Sequence, residues 1–262
     1  MPVMQAGRCT RRTLPLAAMT YQPVESDGTR REMRAWTARL GTALSLSCML
    51  YAVVGIVAAR AGTAPQDPDL FDELFRKSEH VRSSLRTLTA RVTETTTSSM
   101  LTRPLVEHGS VALIRPSRVL LTYTSPEERT IVIDGDRLIL RWPSRGLHET
   151  KDIGAAQRRI QRYFVDAGPD ELRSHFRIHA RTAASPNGAK STYLVTMVPK
   201  RKQILQGITQ LELWVDHASF LPTGMRLTFP SGDTKLMTFE DVELNPPVDW
   251  DAEMARQAKP PR

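Results

Sequence analysis

Six histidines stand at positions 80, 108, 148, 175, 179 and 217, the residue type best suited to metal binding or proton transfer near neutral pH. None falls in a His-Glu-x-x-His pattern, and the sequence has no Gly-x-Ser-x-Gly nucleophile turn or phosphate-cradling glycine loop. His175 and His179 are four apart, but the pattern changes there from helix to strand, so they do not share a helix face. Asp134-Gly135-Asp136 lacks the further oxygen ligands that calcium needs and reads as a tight turn. Glu127 and Glu128 follow Pro126 in a loop, where both carboxylates are solvated. The two cysteines, Cys9 and Cys48, precede residue 65, which excludes a catalytic thiol, a thiolate metal site or a disulfide from the rest. Lys200-Arg201-Lys202 suits anionic headgroups or an acidic protein surface, or forms a solvated loop. It lacks the interleaved aromatics on which nucleic-acid bases stack. These residues predict a protein that is not an enzyme, holds no metal or cofactor and binds no nucleic acid.

The elements that would position such residues begin after a short polar linker, residues 65–68. Asp67 and Pro68 suit an N-cap and a first helical position. Leu70, Phe71, Leu74, Phe75, Ser78, Val81 and Leu85 recur at helical spacing. From Leu88 the pattern becomes that of strands: 88–97, 108–114, 118–124, 130–134 and 137–142, then 176–181, 191–198, 208–216, 223–229 and 235–242. Asp134-Gly135 predicts a two-residue hairpin turn. Between the two runs of strands, residues 154–165 read as a basic amphipathic helix. Ala156, Ile160, Tyr163 and Phe164 share one side; Arg158, Arg159 and Arg162 share the other. That helix either covers a sheet face or lies on a membrane surface. A further helical turn follows over 170–175. About ten strands with two or three helices make an α+β plan, a large antiparallel sheet that tends to curl, with helices gathered on one face.

Residues 40–59 carry no charge, follow Arg30, Arg31, Arg34 and Arg39, and lead into Ala59-Arg60-Ala61, the layout of an export signal. The run is also close to the ~20 residues that span a bilayer, so it is read either as a cleaved signal peptide or as an anchor. Residues 1–32 form an extension or a misassigned start, with Met33 as the other candidate first residue. The formal charge of +8 suggests nucleic acid or a membrane surface until it is divided. Residues 1–64 hold eight arginines against three acids, while the remainder holds 28 basic and 25 acidic residues. Most of the basicity therefore belongs to the export segment.

The stretch Gly109-Ser-Val-Ala-Leu-Ile-Arg115-Pro116, then Tyr123-Thr-Ser-Pro126 and Ile131-Val-Ile-Asp134-Gly135, resembles the periplasmic LolA-type outer-membrane lipoprotein carriers. The resemblance continues through Val198-Pro199-Lys200, Leu211-Glu-Leu-Trp-Val-Asp216 and Phe239-Glu-Asp-Val242 to Asn245, over residues 69–250. It implies an incomplete antiparallel β-barrel, a half-barrel sheet covered by lid helices over an apolar cavity. It implies a monomer that accepts acylated lipoproteins from an inner-membrane ABC-type transporter and passes them to an outer-membrane acceptor. Arg115 falls on the arginine of the family's Arg-Pro motif, where it is expected to bind the lid helices and control their opening. Val119, Leu121 and Tyr123 match cavity-lining positions, and Ile160 and Phe164 are candidate lid residues. Leu70, Leu74 and Val81 either close one end of the cavity or pack the core. Trp250 stands where the family's tail has an aromatic, and residues 251–262 read as a flexible tail. The same resemblance is compatible with a periplasmic lipid or lipoprotein sensor acting through a protein partner, or with a carrier of another lipid or glycolipid.

Overall fold

The structure is a computed structural model and describes residues 69–160, 167–188 and 191–258. Helix α1 (Leu70–Lys77) is capped by Asp69, whose carboxylate accepts a hydrogen bond from the Phe71 amide at 3.3 Å. The cap expected at Asp67 lies outside the described residues. The single helix expected up to Leu85 is interrupted at Ser78, and α2 (Glu79–Ser84) follows. The Ser78 hydroxyl donates to the Phe75 carbonyl at 3.1 Å, a local alternative to the helical ladder.

Eleven strands form one antiparallel sheet. A first meander holds β1 (Thr87–Thr97), β2 (Leu105–Ile114), β3 (Arg118–Ser125), β4 (Arg129–Asp134), β5 (Arg137–Trp142) and β6 (Leu147–Asp152). A second holds β7 (Phe176–Ala183), β8 (Thr192–Pro199), β9 (Gln210–Asp216), β10 (Pro222–Thr228) and β11 (Thr234–Leu244). The strand order is β6-β5-β4-β3-β2-β1-β11-β10-β9-β8-β7, so the meanders meet where the last strand pairs with the first. The edges β6 and β7 do not pair, which leaves the sheet open, as expected of an incomplete barrel. The segment joining β6 to β7 must therefore travel from one edge of the sheet to the other. Its described parts are α3 (Gly154–Ile160) and α4 (Pro169–His175). Ile153, Ala167 and Leu172 bury in the main core, so the described ends of the crossing lie on the apolar face.

Strand periodicity explains that face. Leu88, Ala90 and Val92 of β1, Val111 and Leu113 of β2, and Ile131 and Ile133 of β4 alternate inward. The core extends to Tyr193, Val195 and Met197 of β8 and to Met237 and Phe239 of β11, with Phe71, Leu74 and Phe75 of α1 laid against it. Gly109, the first residue of the motif quoted above, sits at an irregularity of the β2–β3 pairing. A Cβ there would stand 2.0 Å from the Thr122 carbonyl oxygen, so the strands approach this closely only over glycine.

Three elements depart from the sequence reading. Strand β6 is not expected from the sequence, and residues 251–258, read there as part of a flexible tail, belong to helix α6 (Trp250–Ala258). Asp249 starts this helix, accepting from the Ala252 amide at 3.0 Å. Trp250 and Met254, four apart, pack on the outer face of the sheet against Leu120 and Val132. A short helix α5 (Lys202–Leu205) lies between β8 and β9.

Candidate functional site

The inner face brings three of the expected lining residues together. Val119, Leu121 and Tyr123 alternate along β3 and are 1%, 2% and 0% exposed. Tyr123 differs from the other two because its hydroxyl donates to Glu94 Oε2 at 2.5 Å. It thus belongs to a buried polar cluster as well as to the apolar wall. Of the expected lid residues, Ile160 ends α3 and Phe164 lies outside the described residues.

The buried cluster was not foreseen. Glu94 on β1 and Glu107 on β2 are direct cross-strand partners, an arrangement that by itself repels. Cations from either side resolve it. Lys235 of β11 bonds Glu94, and Arg129 of β4 reaches Glu107 at 3.0 Å. The Arg129 guanidinium also lies 4.3 Å from the centre of the Tyr123 ring and 5.4 Å from that of Trp142. Burial would raise the Glu94 carboxyl, but the charges of Lys235 and Arg129, with hydrogen bonds from Lys235 and Tyr123, hold it below the usual carboxylate value. Glu107 goes the other way: burial and the Glu94 charge push it up, and Arg129 only partly offsets them. Burial, then the adjacent Glu94, pushes the Tyr123 phenol well above its ordinary value. Glu94, Glu107, Arg129 and Lys235 lie on the same parity as the apolar inner positions of their strands, a signal for the inside that their charge opposes.

The cover over this face is pinned at its rim. Arg173 of α4 donates to Asp72 at 2.6 Å and to Asp69 at 3.1 Å, tying α4 to the start of α1. Arg115, in the turn after β2, donates from Nη1 to the Arg82 carbonyl of α2 at 3.2 Å. Its amide bonds the Arg86 carbonyl at 2.9 Å. Arg115 is expected to bind the lid helices; among the described residues it bonds α2 and the residue that follows Leu85, and no bond to the 154–175 segment is formed. Arg82 is 4% exposed, pairs with Glu79 and stacks 3.7 Å from the centre of the Phe75 ring.

His175 sits where α4 turns into β7, 5% exposed. Arg201 donates to its Nδ1 at 2.6 Å, which requires that nitrogen to be unprotonated. Burial, and then the Arg201 charge, lower the His175 pKa against the opposing pull of Glu171. In the unfolded chain the ring takes a proton near its ordinary pKa of ~6.5, whereas the folded protein resists it. The stabilisation is therefore present above ~6.5 and is lost as pH falls through the lower folded value. Urea midpoints are expected to drop from pH 7 to pH 5, and His175→Gln should flatten that slope. An unchanged slope in the variant would assign it to carboxylates.

The structure also carries a groove of about 470 Å³ on the outer face, between β11–β1–β2–β3 and α6, where Arg91, Asp241, Glu243 and Glu253 gather around Leu120. It lies on the opposite side of the sheet from the expected lining residues. Among the described residues, no group of histidines, cysteines and carboxylates has the geometry of a metal site.

Comparison with known proteins gives a family match and a set of distant folds. No curated protein matches the sequence. A LolA superfamily protein from Nitrosomonas europaea is similar at 11% identity, over 68% of this chain and 94% of that one, with a TM-score of 0.34. The lipoprotein LppX of Mycobacterium tuberculosis is similar at 15% identity, over 70% and 99%, with a TM-score of 0.41. In the MucA/MucB complex of Pseudomonas aeruginosa the values are 13% identity, 69% and 60% coverage, and 0.42. The family model described as outer membrane lipoprotein carrier protein LolA matches residues 83–252, more than half of the chain and every strand of the sheet. The chain belongs to the LolA family.

Proposed function

We propose that this chain is a periplasmic carrier that shields lipoprotein acyl chains on its apolar inner face and ferries them from the inner to the outer membrane. Residues 33–64 would export it, and residues 69–250 would form the carrier domain. The supporting observation is the way the apolar face is covered. Helices lie over it instead of a second sheet, and the ion pairs that join α1 to α4 are one-third to one-half exposed. Exposed pairs contribute about 0–1 kcal/mol each, so the rim contacts are weak and the cover can be displaced by a better apolar occupant. The need for such an occupant site is large. Three acyl chains hold on the order of forty methylenes, which at ~0.8 kcal/mol each would cost roughly 30 kcal/mol to expose to water. The carrier makes and breaks no covalent bond; an inner-membrane ABC-type transporter would load it and an outer-membrane acceptor would unload it.

The test is to purify the protein from the periplasm, identify bound lipoprotein by mass spectrometry, and measure transfer to acceptor membranes. Repeated isolation without lipid or lipoprotein would overturn the reading. Bound lipid without transfer, together with a stable complex with a membrane-protein ectodomain, would make it a sensor. Arg115→Leu sharpens the test. Its loss removes one charge-assisted hydrogen bond, about 1.5 kcal/mol, and should shift the open–closed balance about tenfold with the sheet intact. Unchanged transfer would leave Arg115 as a turn residue only.

A further inference from the structure

Among the described residues, the large hydrophobic side chains left most open to water gather on one hairpin. Met100, Leu101 and Val106, all at the β1–β2 tip, are 66%, 37% and 43% exposed. The tip is a built turn: the Met100 amide donates to Ser98 Oγ at 3.2 Å and the Leu101 amide to the Ser98 carbonyl at 3.0 Å, while Ser98 itself is buried. The chain therefore holds these side chains outward. On the side of β3 the hairpin also runs past its neighbour, whereas on the other side β1 stays paired with β11 to its last residue, Thr97. Pairing of β2 with β3 ends at His108, whereas pairing of β2 with β1 continues to Leu105, three residues or about 10 Å further.

The ladder fixes what else lies at this end of the sheet. Thr97 pairs with Thr234, Thr234 with Thr228, and Thr228 with Gln210, one continuous rung from β1 across to β9. Met197 of β8 pairs with Leu211 of β9, so the loop leaving β8 with Lys200, Arg201 and Lys202 opens at the same end. Each of these three is exposed, and Arg103 is exposed on the hairpin tip itself. The Lys200 ammonium donates to the Arg173 carbonyl at 2.6 Å and Arg201 to His175; neither cation is in an ion pair among the described residues, and an acid, Glu171, stands 3.8 Å from Nε2 of the same His175 ring. With Arg145, the loops of this end hold five cations against Glu127, Glu128 and Asp233. Glu127 is already engaged by Trp142 and Arg145.

We propose that this end of the sheet docks on an anionic lipid bilayer, with Met100 and Leu101 entering the interface and Lys200, Arg201, Lys202 and Arg103 meeting the headgroups. Apolar side chains on one hairpin and cations in the loop leaving β8, both at one end of the sheet, match that surface, where each near-surface basic residue adds attraction that salt weakens. A broad planar anionic surface can meet the apolar tip and the cationic loop together, although four strands lie between β2 and β8. Docking is separate from the carrier reading, because it needs no cargo on the inner face and is measured without any.

The experiment places an environment-sensitive fluorophore on Leu101→Cys in a Cys9→Ser, Cys48→Ser background, with Asp241→Cys on the outer face as control. Vesicles are phosphatidylcholine alone or with about a quarter phosphatidylglycerol. On anionic vesicles the label at 101 should shift to the blue and be quenched by nitroxide lipid, while the label at 241 stays unchanged. Lys200→Glu with Lys202→Glu should weaken the response on the order of tenfold, and so should high salt. Four results would overturn the inference. One is no shift at 101 on either vesicle, and another is an equal shift on both that ignores the charge reversal. The third is a shift that grows with protein concentration in the absence of vesicles, which assigns the tip to a second copy. The last is a shift that requires an integral membrane protein in the bilayer.

Discussion

Arg129→Met is expected to cost about 3–5 kcal/mol of folding stability, measured by urea denaturation at pH 7.5. Arg129 is 2% exposed and makes the ion pair with Glu107, itself 5% exposed, on the inner face. Methionine keeps the length of the side chain and much of its contact with the Tyr123 ring. What it removes is the charge. Glu107 is then left buried opposite Glu94 with no cation of its own, and the cost of an unpaired buried carboxylate is much larger than the net worth of the pair. Glu107→Gln in the same chain should recover most of the loss, because an amide does not repel Glu94.

The pH dependence separates this account from a simple packing defect. Glu107 already has a raised pKa in the folded protein, from burial and then from Glu94, with Arg129 acting against both. Removing Arg129 raises it further. A carboxyl whose folded pKa lies above its unfolded one destabilises at high pH and ceases to do so as pH falls through the folded value. The deficit of Arg129→Met should therefore be largest near pH 8 and shrink toward pH 5. A packing defect would keep the same deficit at both. A loss under about 1 kcal/mol with the parent's pH profile would show that the pair is effectively solvated.

This cluster also marks where sequence reading stops. The inner face was legible because Val119, Leu121 and Tyr123 alternate with residues that face outward, and Asp134-Gly135 announced its hairpin. Glu94 was lost in a threonine-rich strand that reads as half-exposed, although it continues the parity of Leu88, Ala90 and Val92. Charge argues for solvent and parity for burial, and only the partners from β4 and β11 decide. No local pattern names those partners, since Lys235 lies 141 residues from Glu94. Strand β6 was missed for a different reason. Leu-His-Glu-Thr-Lys-Asp has no run of apolar residues to alternate; it is an edge strand with a single neighbour, and its charges discourage pairing with another chain. Arg115 was found through the family pattern. That its guanidinium reaches α2 depends on a turn geometry that the pattern does not encode.

Trp250→Ala is expected to release helix α6 from the outer face and to lower stability by about 3 kcal/mol, the low end for a buried tryptophan. Trp250 is 6% exposed, covers Leu120 and Val132, and lies with its ring centre 5.5 Å from the Arg118 guanidinium. The low end applies because α6 is terminal. It can come away without opening the sheet, so the loss cannot exceed the free energy of docking the helix. Hydrogen exchange should then show residues 250–258 unprotected and the central strands β1, β2 and β11 unchanged. Trp250→Phe, which retains the apolar contact, should cost about 1 kcal/mol and keep the helix protected. Undocking has a second consequence, because Leu120 and Val132 would join the partly buried Ile114 and Ile139 as a continuous apolar patch on the outer face. Patches of that kind drive association between copies, so Trp250→Ala should also raise light scattering with protein concentration. If exchange at 250–258 matches the parent, α6 is held by contacts other than Trp250, and its burial reflects the position of the helix without determining it.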